Sequence, residues 1–397
     1  MTSLHPTNVD KPVENIHPDN LPQSSKTKLA QALSVLVDHS SKHTDVTQNV
    51  HGPMHLIPSI PFLHKLVPEL EELATKYHIG NFVVIRGTSE RIFESMPIYA
   101  RIGMHLLFYG KEQVELLEGN RKIDDILRDE SIKEGKIYNS SESVKSISSF
   151  ISTYKIQLDE LLDPDLSHYK CFNEFFYRRL KLDARPVQYL DNPLSFCSPA
   201  DCRMTVYSTV DSATKFWIKG DEFSIAKLLN VPPDSERAKY YEGSSMAICR
   251  LAPQDYHRFH CPLDGTVTGE IVDIPGQYYT VNPQAVNEPK FDVFTANKRS
   301  IAYLTHGQTS KEVAYVAVGA LLVGSIEWTA GKEKGEIKRG DELGYFAYGG
   351  STVIVLFPKG LINFDQDLVQ NSLEPVETLV KVGYSLGQCP DAGSVPA

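Results

Sequence analysis

A cationic surplus is missing from this chain. Its 40 Lys and Arg face 50 Asp and Glu, a formal net charge of −10 at pH 7. A surface that holds nucleic acid needs a basic excess, which here is at most local, so nucleic acid is not expected as a partner. Paired cysteines are missing too. The six cysteines (Cys171, Cys197, Cys202, Cys249, Cys261 and Cys389) contain no C-x-x-C pair and no dense framework. That argues against a zinc ribbon or a disulfide scaffold and suits a reducing compartment. The opening residues, Met1 to Pro6, lack a basic segment followed by an apolar run, so no secretory signal is expected. The longest nearly uncharged apolar stretch, Val313 to Ile326, is too short to span a bilayer. The expectation is an intracellular chain, soluble or peripheral to a membrane, without a transmembrane helix.

At 397 residues the chain has room for one large or two ordinary domains. Residues 1–50 are rich in Pro, Asn, Ser, Asp and His with little periodicity and read as a disordered leader. Residues 51–185 read as a helix-rich portion. Leu63, Leu66, Val67, Leu70 and Leu73 recur at helical spacing and predict a helix over Glu69 to Tyr77, with Pro68 at its first turn. Tyr99 to Tyr109 is an apolar helix candidate ended by Gly110, suited to the core or to docking on a membrane. Ser141 to Phe150 resembles a further helix entrance, and Phe172 to Leu180 is an amphipathic segment carrying Arg178 and Arg179. From residue 186 to 397 the pattern changes to short β-branched and aromatic runs separated by Gly, Pro and Asp, among them Lys215–Gly220, Gly265–Val272, Val313–Val318 and Thr352–Phe357. The fold class expected is α+β: a helix-rich N-terminal half packed on a mainly antiparallel β core, barrel- or sandwich-like.

Several motifs bear on chemistry. Gly319-Ala320-Leu321-Leu322-Val323-Gly324-Ser325 has the glycine spacing of a phosphate loop but lacks its lysine, and reads as a strand. Lys338 to Gly344 resembles the turn before the last strands of biotinyl and lipoyl carrier domains, yet the flanked hairpin lysine of those domains is absent. A non-enzymatic carrier or binding module stays open on that resemblance. In Asp255 to Gly265 two histidines stand three apart in an extended segment, where such residues face opposite sides. His257 and His260 therefore do not suit one metal-ligand face, and no metal site is expected. Asp201, in the Pro-containing segment Cys197 to Arg203, reads as an Asx-turn residue or as a carboxylate that orients a histidine. Gly349-Gly350-Ser351-Thr352, between an aromatic and a β-branched run, reads by itself as a hairpin turn.

Together these segments resemble the phosphatidylserine decarboxylase family, especially its eukaryotic branch. The residues that carry the resemblance are FNEFFYRRLKLDARP (172–186), SPAD (198–201), KFWIKG (215–220), DYHRFHCPLDG (255–265), YYTVNP (278–283) and RGDELGYFAYGGST (339–352), within a likeness that spans residues 85–388. It implies that the protein is a self-processing proenzyme. Ser351 Oγ attacks the Gly350 carbonyl to give an ester, β-elimination leaves dehydroalanine, and tautomerisation and hydrolysis yield a covalent pyruvoyl group and ammonia. The glycines permit strained backbone angles and leave the carbonyl unshielded. The resemblance makes His260 the base for that attack and Asp201 the carboxylate that holds its tautomer. Cys202 stands where many relatives have Gly or Ser, which bears on loop packing. The products are a β chain, residues 1–350, and an α chain, residues 351–397, which remain partners because the cut falls between strands of one core.

The pyruvoyl carbonyl then forms a Schiff base with a substrate amine and takes up electrons as carbon dioxide leaves, without pyridoxal phosphate. The resemblance assigns protonation of the resulting carbanion to His257. It implies phosphatidylserine at a membrane surface as substrate and phosphatidylethanolamine as product, with Arg178, Arg179, Tyr278 and Tyr279 as candidate substrate or membrane contacts and Lys181 as a further headgroup contact. Fungal relatives that decarboxylate a free aromatic amino acid share the processing motif, so that substrate class is the alternative.

Overall fold

The computed structural model describes residues 80–88, 90–95, 128, 131–132, 135–210, 213, 223–279, 281, 292–320, 325–347, 351–374 and 376–390. The expected leader, the helices over Glu69–Tyr77 and Tyr99–Tyr109, the strand over Lys215–Gly220, and Gly349 and Gly350 lie outside the described residues.

In chain order the strands are β1 (Gly80–Ile85), β2 (Arg91–Ser95), β3 (Ser195–Cys197), β4 (Cys202–Tyr207), β5 (Ser245–Leu251) and β6 (Arg258–His260). They continue with β7 (Gly265–Ile274), β8 (Arg299–His306), β9 (Glu312–Gly319), β10 (Ile326–Trp328), β11 (Gly335–Ile337) and β12 (Glu342–Phe346). The last four are β13 (Ser351–Phe357), β14 (Asn363–Phe364), β15 (Glu377–Val380) and β16 (Ser385–Gln388). The α-helices are α1 (Ser146–Tyr154), α2 (Phe172–Phe176), α3 (Ile225–Leu229), α4 (Glu236–Tyr240), α5 (Val293–Ala296) and α6 (Gln366–Leu373).

Ten strands form one sheet in the order β11-β7-β8-β9-β13-β5-β4-β15-β1-β2. Its ends do not meet, so the sheet is open and not a closed barrel. Every pairing in it is antiparallel except β1 with β15. Two three-stranded sheets, β10-β12-β6 and β14-β16-β3, accompany it. The fold is thus α+β with a mainly antiparallel, sandwich-like core.

Strand β13 occupies the centre because its sequence leaves it no other place. STVIVLF is buried at every residue, and a strand without a polar face must be covered on both sides. Ile354 and Leu356 pack into one cluster with Phe150 of α1 and Phe172, Phe175 and Phe176 of α2. Val353, Val355 and Phe357 pack into the other, with Phe259 of β6, Phe346 of β12, Trp328 of β10 and Phe196 of β3. Each of these large side chains stabilises the fold by about 2 to 3 kcal/mol when fully buried. Helices α1, α2, α3 and α5 therefore cover one face, and the small sheets together with α6 cover the other.

The helix expected from Ser141 is a 3-10 turn, Ser141–Lys145, running into α1. The division at residue 185 is coarser in the structure than in the sequence pattern. Strands β1 and β2 precede it and join the large sheet, and α3 to α6 follow it. Local chemistry accounts for those later helices. Ser224 caps α3 by accepting from Lys227 N, Ser235 caps α4 by accepting from Ala238 N, and Asp292 caps α5 by accepting from Phe294 N and Thr295 N.

Candidate active site

Ser351 is the first residue of β13, opposite Leu251 on β5 and Gly319 on β9. The chain arrives there from β12, a strand of the small β10-β12-β6 sheet. The bond before Ser351 therefore lies where the chain passes from one sheet to the other. Ser351 is 1 % exposed, and its hydroxyl has no hydrogen-bond partner among the described residues. A buried polar group left unpaired costs about 1 to 3 kcal/mol, a cost that a stabilising role does not explain. Thr352, next in the strand and by alternation on the opposite face, carries a second such hydroxyl.

His260 ends β6, opposite Glu342 on β12. Its Nδ1 lies 2.7 Å from the Gly340 carbonyl oxygen and its Nε2 3.2 Å from the Tyr256 hydroxyl. A carbonyl only accepts, so Nδ1 carries the proton and Nε2 offers its lone pair. Burial lowers the pKa of the ring, against the raising effect of the Gly340 hydrogen bond and of the Glu342 and Asp201 charges. Burial also raises the pKa of Tyr256, which keeps its hydroxyl protonated and able to donate. The result is a neutral imidazole in a fixed tautomer, the state a general base requires. Gly340 presents that carbonyl from a backbone with φ +83, where an added Cβ would come within 2.6 Å of Val187 Cγ2.

Asp201 lies near His260 but spends its carboxylate elsewhere. Arg185 donates to both of its oxygens, through Nε at 3.0 Å to each and Nη2 at 2.7 Å to Oδ2, and Val382 N donates to Oδ1 at 2.8 Å. The hydrogen bond to His260 that the resemblance implies is absent here, because the guanidinium fork occupies the carboxylate and Gly340 takes Nδ1. The segment still touches His260 by backbone, since His260 N donates to Pro199 O at 2.7 Å. Asp201 thus fastens the loop at Val382 and acts on His260 only through its charge. Cys202 opens β4 as a buried thiol beside Cys249, and burial raises its pKa well above the ordinary value.

His257 is in different company. Its ring lies on that of Phe176 from α2, centroids 3.9 Å apart, and Nδ1 is 2.9 Å from the Asp255 carbonyl. Its own carbonyl accepts from Phe346 N at 3.0 Å, which ties the histidine segment to the end of β12, just before Ser351. The two histidines do not share a ligand set, and among the described residues no three His, Cys, Asp or Glu side chains group as metal ligands.

The other candidates separate. Arg178 is buried and Arg179 exposed. Lys181 Nζ donates to Asp159 O. Tyr278 is half-buried and Tyr279 buried. Asn297, a buried side chain that the sequence reading did not single out, accepts from Tyr279 N through Oδ1 and donates through Nδ2 to Tyr279 O and Gly319 O. Gly319 is the strand partner of Ser351, so Asn297 fastens the Tyr278-Tyr279 segment to the same end of the sheet. Tyr256 and Phe176 were also missed as partners. Both lie inside quoted motifs, which was the one signal available.

A family model described as phosphatidylserine decarboxylase matches residues 172–388. The chain is 44 % identical over 306 residues to phosphatidylserine decarboxylase proenzyme 2 of Komagataella phaffii, covering 77 % of this chain and 29 % of that protein. It is 45 % identical over 318 residues to phosphatidylserine decarboxylase proenzyme 2 of Oryza sativa, covering 79 % of this chain and 49 % of that one. It is 38 % identical over 255 residues to the phosphatidylserine decarboxylase proenzyme of Fusobacterium nucleatum, covering 64 % of this chain and 81 % of that one. The match thus spans less than half of the first two relatives and most of the bacterial one. The chain belongs to the phosphatidylserine decarboxylase family.

Proposed function

We propose that this protein cuts its own chain between Gly350 and Ser351 and, with the pyruvoyl group formed at position 351, decarboxylates phosphatidylserine to phosphatidylethanolamine at a membrane surface. The observation that carries this reading is the Ser351 hydroxyl, buried without a partner at the head of the central strand. The position fits the group: it is enclosed, it sits between β5 and β9, and no described side chain binds the hydroxyl. When formed, a pyruvoyl group supplies a carbonyl that draws off the electron pair left by departing carbon dioxide.

The residues have separable tasks in this reading. His260, neutral and with Nε2 basic, accepts the Ser351 hydroxyl proton once the Tyr256 hydroxyl that donates to Nε2 gives way, and Gly340 O holds the tautomer. His257, its Nδ1 fixed on Asp255 O, exchanges the proton for product formation through Nε2. Asp201 and Arg185 hold the loop at Val382 against the histidine segment. The two product chains stay together because β13 lies between β5 and β9, β15 lies between β1 and β4, and β16 pairs with β3. Ion pairs from Arg86 to Asp365 and Asp367 and from Arg91 to Glu374 also cross the cut.

Among the described residues no helix is long and apolar enough to cross a membrane. The test is carbon dioxide release from phosphatidylserine vesicles compared with free serine and free tryptophan. Release from the vesicles alone is expected. Equal or faster release from a free amino acid would assign the chain to the amino-acid branch.

A further inference from the structure

A cleft of ≈ 240 Å³ opens between α2, the segment after it, and β6, with Arg178, Arg179, Arg258, Asp163, His168 and Glu174 on its walls. Most of these charges are already answered. Asp163 binds His168 Nδ1, Glu174 accepts from Lys170 N, and Arg258 binds Glu342 and the Tyr177 carbonyl. Arg178 and Arg179 have no ion pair among the described residues, and of the two only Arg178 is buried. It is 5 % exposed, its Nη atoms donate only to the carbonyls of Phe176, Gln254 and Asp255, at 3.2–3.4 Å, and its Nε has no partner. Among the described residues no carboxylate forms an ion pair with it. The charges of Asp201 and Asp255 reach it only at a distance and do not offset its burial, so a buried guanidinium with an unused donor and no ion pair is costly, and an anion in the cleft lowers that cost.

The cleft adjoins the catalytic histidine. The Asp255 carbonyl that accepts from Arg178 Nη2 also accepts from His257 Nδ1, and Phe176, two residues before Arg178, carries the ring under His257. Two anions of a phosphoserine headgroup are candidates for Arg178. The reacting carboxylate loses its charge in the transition state, so a cation fixed on it would stabilise the ground state more and slow the reaction. The phosphodiester keeps its charge throughout.

We infer that this cleft seats the phosphodiester of the substrate, with Arg178 as its counter-charge, an inference that rests on the lipid reading above. The site distinguishes a phospholipid from a free amino acid by a group remote from the reacting bond. Arg178 is then a positioning residue for the headgroup, while Arg179, exposed beside it, lies at the mouth.

The experiment measures binding without turnover, by calorimetry on the full-length Ser351→Ala chain. The probes are sn-glycero-3-phosphoethanolamine, ethanolamine and inorganic phosphate. The diester binds and ethanolamine does not over the same range, and Arg178→Met weakens the diester by about tenfold or more. Leu162→Trp, which leaves Arg178 in place and fills the mouth of the cleft from a half-exposed position, weakens it as well. Diester binding unchanged in both variants, or equalled by ethanolamine, overturns the inference. Inorganic phosphate binding more tightly than the diester overturns the assignment to a lipid headgroup. Diester binding lost in Arg178→Met sustains the site even where the wild-type chain releases no carbon dioxide from vesicles, a result that would count against the activity alone.

Discussion

The two faces of the ten-stranded sheet are covered by different materials, and the two histidines divide between them. On the helical face the cover is aromatic: Phe150, Phe172, Phe175 and Phe176 pack against Ile354 and Leu356. His257 is drawn into that layer by its stack on Phe176. On the other face short strands bring backbone amides and carbonyls close to the core. There His260 finds both of its ring partners, Gly340 O and Tyr256 OH. Three residues of sequence thus separate a ring held by stacking and one carbonyl from a ring hydrogen-bonded at both nitrogens. The difference teaches that the surroundings of the pair follow from the layer each one enters, and it is on these that the roles proposed for them rest.

The largest expected effect breaks the pair apart. His260→Ala should leave the chain uncut, with cleavage slowed by about 10² to 10⁴. His257→Ala should be cut normally yet decarboxylate about 10²-fold more slowly or worse. Mass spectrometry and carbon dioxide release read the two effects separately, and the opposite pattern would exchange the roles.

Phe176→Ala sharpens the helical side of the comparison. It should lose about 3 to 5 kcal/mol in denaturant unfolding, as should Phe172→Ala, which leaves the ring under His257 in place. Only Phe176→Ala should also slow decarboxylation of the cut enzyme. Equal slowing in both would mean that the stack on His257 has no part in its chemistry.

Asp201→Ala tests the other side. It removes the anchor of Arg185 and of Val382 N, and a destabilisation of about 3 kcal/mol is expected, because Arg185 retains Glu160. Were the carboxylate instead the direct partner of His260, cleavage would fail with stability unchanged.

The smallest effect is one of pH. Burial lowers the folded pKa of His260 from its ordinary value of 6.5. The unfolded chain therefore takes up the proton first as pH falls. The stability contributed by the neutral ring is complete above about 6.5 and is lost as pH falls through the lowered folded value. The cleavage rate should accordingly stay level down to about pH 6.5 and decline only below it; a midpoint above 6.5 would contradict the buried neutral ring.

Much of the fold was legible where a local pattern is long enough to carry it. The all-apolar run of β13, the β-branched runs of β7 and β9, and the aromatic spacing of α2 show in the sequence because their burial is continuous or periodic. The three-residue strands β3, β6, β10 and β11 are too short to show a period. The parallel pairing of β1 with β15 joins residues nearly 300 apart, and no local signal announces such a contact. The same limit applies to the site. Ser351, His257, His260 and Asp201 have side chains of chemically capable types and stood out. The Gly340 carbonyl that holds His260 belongs to the backbone, and the Arg185 that occupies Asp201 is identified only by its place in the fold.

The most direct test of the central claim is the intact mass of the purified wild-type chain beside Ser351→Ala. The account predicts two associated fragments from the wild type, residues 1–350 and residues 351–397 with a carbonyl in place of the amine at position 351, and one uncut chain from the variant. A folded wild-type protein that remains a single uncut chain would contradict it.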